Sequence, residues 1–241
     1  MQRPSPADCT DVVAVSYNIH KGVGTDGRRQ PERILDVLDE VGADIAVLQE
    51  ADLRFGVRHG VLPGELLAAR GLRALPFDRR GISLGWHGNA VLVRAGVEAL
   101  RHRRIRLPAL EPRGAVLADL AVNGRVLRVA GMHLDLSGLR RHRQILSVLQ
   151  RLAAAPGDPP ALVMGDLNEW REGAEPLRVL AAGFAPVPTG PTFPARLPVG
   201  RLDRIFASRQ LTVLDSGVHA SALARMASDH LPVWVRLRLP G

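Results

Sequence analysis

The chain has 241 residues, 46% of them hydrophobic and 23% charged, which is ordinary for a globular protein and excludes general disorder. A single cysteine, Cys9, excludes an intrachain disulfide, and no apolar run approaches the roughly 20 residues that span a bilayer. The formal net charge of +8 favours polyanionic partners, although 31 of the 32 basic residues are arginine and a GC-rich coding sequence explains that bias equally well. We therefore predict a cytoplasmic protein without stable membrane insertion.

Short apolar runs bounded by polar or turn residues predict eight strands. In chain order they cover residues 12–17, 44–48, 90–93, 115–122, 126–132, 161–164, 202–207 and 231–237. Helical spacing predicts helices at about 31–41, 65–70, 137–152 and 175–182. Asn123-Gly124 predicts a tight hairpin turn, because both residues tolerate positive φ.

These elements predict a single domain over residues 11–241, preceded by a flexible N-terminal tail at residues 1–10. The segment 186–200 contains five prolines, and we interpret it as an ordered loop or lid because further strands follow it. The expected architecture is a mixed, largely antiparallel sheet with helices on the outside.

Polar residues stand where the predicted strands begin or end. They are Asn18, Glu50, His133, Asp166, Asn168, Asp203, Asp229 and His230. Because the end of one strand lies beside the start of its antiparallel neighbour, all eight can share one rim of the fold. Their oxygen atoms suit Mg²⁺ or Mn²⁺. The chain has no HExxH zinc motif, no GxxxxGK[ST] loop and no GxSxG motif.

Six segments around these residues resemble the motifs of the endonuclease/exonuclease/phosphatase superfamily. In order they are SYNIHKG, AVLQE, GMHLD, VMGDLNEW, RLDRIF and SDHLPVWV. The superfamily includes pancreatic-type deoxyribonucleases, abasic endonucleases, bacterial sphingomyelinases and inositol polyphosphate phosphatases. The resemblance implies an α+β fold, the four-layer α/β/β/α sandwich of deoxyribonuclease I, in which two mostly antiparallel sheets pack face to face with helices outside.

The resemblance also implies a metal site for Mg²⁺ or Mn²⁺. Glu50 would be the principal ligand, with Asn18 beside it and Asp229 as a further ligand. Abasic endonucleases carry an acidic residue two positions after the motif asparagine, whereas this chain has His20 there. That departure disfavours an abasic-endonuclease activity and leaves fewer acidic ligands around Asn18.

The catalytic roles implied by the resemblance fall on five residues. Asp166 would orient or deprotonate the attacking water, and Asn168 would hold a phosphate oxygen. His230 would contact the scissile phosphate, with Asp203 holding it in orientation and protonated. His133 would be a second histidine on the phosphate side, although a lone histidine is more often a hydrogen-bonded core residue.

Four further residues are candidates for substrate binding. They are His20, Lys21, Asn89 and Arg113. Asn89 is equally interpretable as a structural turn residue. The basic run at residues 101–106 is most simply the solvated face of a strand.

The sequence thus predicts a metal-dependent phosphoester hydrolase, most simply a nuclease-like phosphodiesterase in which water attacks a phosphodiester in line. Nucleic acid is a candidate partner, and a monomer is expected. A phospholipid head-group phosphodiesterase or a phosphomonoesterase is the alternative, although no long aromatic hairpin is visible. A non-catalytic phosphate-binding module is the remaining alternative.

Overall fold

The computed structural model describes residues 10–53, 57–78, 80–108 and 113–240. The predicted flexible tail lies outside the described residues, except that Thr10 begins the first strand. The twelve strands, in chain order, are β1 (Thr10–Asn18), β2 (Ile45–Gln49), β3 (Leu72–Ala74), β4 (Ala90–Arg94), β5 (Val97–Arg106), β6 (Gly114–Val122), β7 (Arg125–His133), β8 (Ala161–Asp166), β9 (Ala185–Pro186), β10 (Asp203–Ala207), β11 (Thr212–Val218) and β12 (Val233–Leu239). The five α-helices are α1 (Glu32–Val41), α2 (Gly64–Ala69), α3 (Gly138–Ala153), α4 (Glu175–Gly183) and α5 (Ala222–Ala227).

The strands form two six-stranded sheets. The first sheet has the order β11-β12-β1-β2-β4-β3, and the second has the order β5-β6-β7-β8-β10-β9. Each sheet contains one parallel pair, β1 with β2 and β7 with β8, and its other pairs are antiparallel. The two sheets are therefore built alike around a central parallel pair.

Alternating side chains of the central strands divide the hydrophobic core into three parts. In β1, Val12 and Ala14 face the second sheet, whereas Val15 and Tyr17 pack under α1 and α5. In the second sheet, β6 to β8 and β10 contribute to the same inner core on one face and pack under α3 and α4 on the other. The predicted α/β/β/α sandwich is confirmed, and burial on both faces explains why the strands read as continuous apolar runs.

The eight predicted strands all exist, with boundaries shifted by up to two residues, and so do the four predicted helices. Gly42 ends α1 at φ 70°, and Asn123 and Gly124 have the predicted positive φ values. Sequence periodicity missed α5 and the exposed edge strands β3, β9 and β11, which lack a clear apolar pattern. The basic run is the strand β5, and Arg101, Arg103 and Arg106 are exposed as predicted, but Arg104 is half-buried.

Candidate active site

The central strands of both sheets bring the candidate residues to one edge of the sandwich. Asn18 ends β1 opposite Gln49 of the parallel strand β2, and Glu50 follows directly. His133 ends β7 opposite Asp166 of β8, and Asp166 pairs in turn with Asp203 at the start of β10.

Backbone strain marks the same edge. Six non-glycine residues in the described part of the chain have positive φ, and five of them are His20, Lys21, Glu50, His87 and Asn168. The sixth, Asn123, belongs to the hairpin turn. Residues held in this region of φ/ψ space cost about 1–3 kcal/mol each and cluster at functional sites. His87 was not among the predicted site residues. Its positive φ is the observation that adds it to the candidate site.

A buried imidazole–carboxylate pair forms the centre of the site. His230 Nδ1 lies 2.8 Å from Asp203 Oδ2, and the same oxygen accepts a bond of 2.6 Å from the hydroxyl of Thr192. Burial alone would lower the pKa of His230, but the carboxylate of Asp203, aided by Asp166 and Asp229, raises it to about 10. His230 is therefore an imidazolium at neutral pH, with its Nδ1 proton donated to Asp203.

Asp166 connects the two halves of the site. Its Oδ2 accepts a bond of 3.0 Å from Asn18 Nδ2, and its Oδ1 accepts one of 3.0 Å from the backbone N–H of Asn168. His230 Nε2 lies 3.8 Å from Asp166 Oδ2, which is too far for a hydrogen bond. The Nε2 proton of His230 therefore points toward Asp166 but remains available to a third group.

His133 is buried beside this pair in its neutral form. Its Nε2 lies 2.5 Å from Arg113 Nη1 and 3.4 Å from Asp166 Oδ2. Burial, supported by Arg113 and opposed by Asp166, lowers the pKa of His133 to about 4. We therefore take the close contact with Asp166 as packing of a neutral ring rather than as an ion pair. Since Arg113 can only donate, His133 Nε2 is the acceptor.

Asn168 is held by its own turn. Its side-chain Nδ2 donates to the carbonyl of Leu134 at 2.9 Å, and the residue is 7% exposed. An amide nitrogen carries two hydrogens, so one donor is left to face the cleft.

The half of the site on the first sheet is more open. Lys21 forms an ion pair with the Glu50 carboxylate, and their side chains are 24% and 25% exposed. Against the effect of burial, the Lys21 ammonium holds the pKa of Glu50 below its ordinary value. His20 Nδ1 lies 3.8 Å from Asp229 Oδ1 and 3.1 Å from the carbonyl of Val23.

The donor atoms on this side fit a hard divalent cation. Glu50 and Asp229 offer partly exposed carboxylates, and Asn18 Oδ1 accepts only one bond, of 3.2 Å, from the backbone of His20. All of these ligand atoms are oxygens, as Mg²⁺ and Mn²⁺ prefer. Lys21 contacts Oε2 of Glu50, so its ammonium stands beside any cation bound at this carboxylate and opposes its charge.

A second acidic cluster lies deeper. The ligand atoms of Asp166, Asp203 and His230 lie within 4.8 Å of one another, and all three residues are buried. Because Nδ1 of His230 is committed to Asp203 and the ring is protonated, we regard this cluster as an imidazolium that is hydrogen-bonded to Asp203 and lies near the Asp166 carboxylate, rather than as the ligand set of an ion.

Asn89 occupies a structural position under the site. It is fully buried, and its Nδ2 donates to the carbonyl of Gly114 at 2.9 Å and to those of Trp86 and His87 at 3.3 Å. These bonds join the loop before β4 to the start of β6. Asn89 therefore shapes the cleft from below.

Two buried hydroxyls that sequence reasoning did not assign complete the site. Thr192 binds Asp203, and Ser228 Oγ donates to the carbonyl of Asn18 at 2.7 Å while accepting from the backbone N–H of His230 at 3.3 Å. Ser228 directly precedes Asp229-His230, so its place in the motif was the available signal. Nothing comparable singles out Thr192, which comes from the proline-rich loop.

A cleft of about 650 Å³ adjoins the site on the side of His87. Its lining includes Arg58, whose Nη1 lies 2.6 Å from His87 Nδ1, and Arg104, which stacks 4.6 Å over the ring of Trp86. Burial and these two arginines lower the pKa of His87. Three arginines, Arg58, Arg80 and Arg104, and one carboxylate, Asp78, line this cleft.

The chain belongs to the endonuclease/exonuclease/phosphatase family, whose model matches residues 15–230. This is a family of phosphoester hydrolases that generally use divalent metals. The chain is 31% identical over 248 aligned residues to the uncharacterized protein YbhP of Escherichia coli, covering 93% of this chain and 95% of that protein.

Solved structures share the fold. An endonuclease/exonuclease/phosphatase from Bacteroides vulgatus superposes with a TM-score of 0.79 at 20% identity, covering 96% of this chain and all of that one. A family member from Beutenbergia cavernae gives 0.73 at 26% identity, covering 96% and 72% of the two chains. TDP2 of Danio rerio, in complex with a single-strand DNA product, gives 0.71 at 18% identity, with coverages of 95% and 99%.

Within the described residues, no helix is long and apolar enough to cross a membrane.

Proposed function

We propose that this protein hydrolyses a phosphodiester with the help of Mg²⁺ or Mn²⁺. The observation that carries the proposal is the hydrogen-bonded unit of Asp203 and His230, which places a buried imidazolium 3.8 Å from the Asp166 carboxylate. A positive donor and a carboxylate at that spacing suit a phosphate on one side and its attacking water on the other.

In this proposal the buried groups do the proton and charge work. The Asp166 carboxylate orients the water and accepts its proton, since Oδ2 receives only one hydrogen bond of ordinary length. Nε2 of His230 donates to a phosphate oxygen and stabilises the negative charge that develops there. Asp203 acts through His230 by fixing its ring and its protonation, and Asn168 holds a phosphate oxygen with its remaining amide hydrogen.

The open half of the site would hold the cation and guide the phosphate. Glu50 would be the principal ligand of the cation, with Asn18 and Asp229 beside it. The cation would supply neutralisation of charge on the phosphate oxygens. Lys21 would face the substrate together with His20 and Arg113. The neutral ring of His133 positions the Arg113 guanidinium.

A nuclease-like activity is one form of this proposal. The net charge of +8 and the excess of arginine over carboxylate in the lining of the cleft beside His87 support a polyanionic substrate. TDP2, whose structure holds a DNA product, shares the fold, but at 18% identity that likeness carries no information on substrate. The proposal includes a cytoplasmic location, because the single cysteine suits a reducing compartment. It also includes a monomeric state.

A phospholipid head-group phosphodiesterase is the second form. The observation that favours it is a group of exposed large apolar side chains beside the site, among them Leu136, Trp170 and Leu197. Both forms require the same chemistry at the phosphorus atom and differ in what surrounds the diester.

The experiment is a substrate panel measured with Mg²⁺, with Mn²⁺ and with EDTA. It contains single-stranded DNA, plasmid DNA, RNA, bis-nitrophenyl phosphate, nitrophenyl phosphate and phospholipid vesicles. We expect hydrolysis of diesters in preference to the monoester, and none in EDTA. Equal activity in EDTA, or activity confined to the monoester, would overturn the proposal.

A further inference from the structure

Large apolar side chains are concentrated at the mouth of the site, where they are exposed to solvent. We name this group the apolar rim, and its members are Leu136 (70% exposed), Leu139 (67%), Trp170 (57%), Leu197 (75%) and Val199 (70%). Scattered single apolar residues are normal on a protein surface, whereas a group beside a functional site marks an interaction surface. The members come from three separate segments of the chain, so their grouping is a product of the fold.

An ion pair joins the first two segments of the apolar rim. Arg141 is 8% exposed, and its Nη1 donates to the carbonyl of Leu136 at 2.6 Å. Its Nη2 donates at 2.6 Å to Glu169, the residue before Trp170. The buried charges of this pair hold the two loops together and leave the apolar side chains of Leu136 and Trp170 outside.

Ring contacts join the third segment of the apolar rim, which contains Leu197 and Val199, to Trp170. They also connect it to the imidazole of His230. The Trp170 ring lies against Gly200, where a Cβ atom would come within 2.8 Å of it, and it meets Phe193 edge-on at 6.1 Å. Val199 donates its backbone N–H to Phe193 at 2.9 Å. The Phe193 ring lies 4.8 Å from that of His230. The apolar rim therefore stands one side chain away from the group that would touch the phosphate.

Arginines alternate with the apolar side chains. Arg140 follows Leu139, Arg171 follows Trp170, Arg196 precedes Leu197, and Arg201 stands two residues after Val199. In the described part of the chain, Arg171 and Arg196 have no carboxylate partner, whereas Arg140 lies 4.0 Å from Asp135 and Arg201 pairs with Glu172 at 2.8 Å. The surface is thus apolar and cationic at once.

We propose that the apolar rim docks the protein on an anionic phospholipid surface, where the site meets phosphodiester head groups; the inference rests on the proposed phosphodiesterase function. Apolar side chains that enter the acyl boundary, surrounded by arginines that meet lipid phosphates, are the pattern of peripheral membrane binding. Tryptophan, with its apolar ring and polar N–H, is favoured at that boundary. A second copy of a chain with net charge +8 would bring like charges together at the same surface.

Vesicle flotation tests the docking without requiring turnover. The purified protein is mixed at 150 mM salt with vesicles of phosphatidylcholine alone or of phosphatidylcholine with 30% phosphatidylglycerol. We expect flotation with the anionic vesicles and at least tenfold weaker partition for the double variant Leu136→Ser, Leu197→Ser. Both side chains are exposed, so serine leaves the fold intact. The matched control is Leu100→Ser with Val213→Ser, at exposed apolar positions of β5 and β11 away from the rim, which should float like the parent.

Tryptophan fluorescence gives a second readout at the rim itself. Anionic vesicles should shift the emission to the blue, and Trp170→Phe should remove most of that shift, because Trp86 and Trp234 are half-buried in the fold. The proposal is overturned if the protein does not bind anionic vesicles, or if the control pair of substitutions weakens binding as much as the rim pair. It is also overturned if the apolar rim serves another partner. A concentration-dependent dimer, or single-stranded DNA binding, that the Leu136→Ser, Leu197→Ser variant loses would show this.

Turnover separates this inference from the proposed function. Hydrolysis of bis-nitrophenyl phosphate, which is soluble, should be unchanged in the Leu136→Ser, Leu197→Ser variant. If the parent protein binds vesicles but cleaves no diester, the docking surface stands and the phosphodiesterase proposal fails. If it cleaves soluble diesters but does not bind vesicles, the phosphodiesterase proposal stands and the docking surface fails.

Discussion

The two sides of the active site differ in how firmly their charged groups are held. The buried side combines residues of the second sheet with His230, which precedes β12 of the first sheet. The side chains of Asp203, Asp166, His133 and His230 are 0%, 2%, 7% and 8% exposed. On the side of the first sheet, Lys21 and Glu50 are 24% and 25% exposed. His20 and Asp229, at 39% and 38%, are more open still. The buried groups have their positions set before substrate arrives, whereas the open ones can exchange partners with incoming ions. Preorganised charge suits the chemical step, and exchangeable charge suits the binding of cation and substrate.

The largest effect should come from breaking the buried side. We expect Asp203→Asn and His230→Gln each to lower kcat/KM for a diester by about 10³, an effect typical of losing an electrostatic contact made in the transition state. Because Asp203 acts through His230, the double variant should be little worse than either single one. Independent, multiplicative losses would show that the two residues do not act as a unit. Circular dichroism spectra of each variant are the control for folding.

Breaking the open side should weaken the binding of the cation. Glu50→Gln keeps the shape of the side chain but removes its charge, so we expect Mg²⁺ affinity to fall at least tenfold and kcat/KM at subsaturating Mg²⁺ to fall by about 10². Calorimetric titration with MgCl₂ measures the affinity directly. Glu98→Gln, an exposed glutamate on β5, is the matched control. Parental Mg²⁺ affinity in Glu50→Gln would remove Glu50 from the ligand set.

The two buried histidines should affect opposite ends of the pH dependence of the free energy of unfolding, measured in EDTA. The acidic limb of that profile depends on His133 and the alkaline limb on His230. Folding lowers the pKa of His133 from 6.5 to about 4, so the unfolded chain binds that proton first, and stability is lost as pH falls from about 6.5 to 4. Folding raises the pKa of His230 from 6.5 to about 10, so its contribution is complete below pH 6.5 and is lost as pH rises through about 10.

Urea unfolding between pH 4 and 10 measures both limbs. We expect His133→Asn to flatten the acidic limb and His230→Gln to flatten the alkaline one. An acidic limb unchanged in His133→Asn would mean that this ring is protonated in the folded protein.

A smaller effect should follow from freeing Glu50 of its ammonium partner. Lys21→Met removes a positive charge that competes with the cation, so we expect half-saturation at a severalfold lower Mg²⁺ concentration. The KM for the diester should rise, because Lys21 also faces the substrate. Lys21→Arg, which retains the charge, should resemble the parent in Mg²⁺ requirement. An unchanged Mg²⁺ requirement in Lys21→Met would separate this lysine from the cation site.

Sequence alone predicted that the candidate residues meet at one edge of the fold, because they sit at strand ends and strand ends can be read from apolar periodicity. Their roles stay predictions. The sequence did not predict the pairing of Lys21 with Glu50, which depends on two turns with positive φ. It also missed Thr192, whose contact with Asp203 spans a proline-rich loop. The sequence shows no long aromatic hairpin, and the apolar rim cannot be read from it because Leu136, Trp170 and Leu197 come from different segments.

The smallest effect should come from β5, which lies outside both sides of the site. Arg101→Glu with Arg103→Glu changes two exposed positions, whereas Arg104 is left intact because it stacks on Trp86. The screening length at 150 mM salt is about 8 Å, so distant surface charges contribute little to docking at the apolar rim. We expect vesicle partition and bis-nitrophenyl phosphate hydrolysis to stay within about twofold of the parent.

A nucleic acid lying along β5 would behave differently, since each lost phosphate contact flattens the dependence of log affinity on log salt by about one unit. If single-stranded DNA binding shows that flattening, the polyanion surface is β5 and the nuclease-like form of the proposal is favoured over the lipid one.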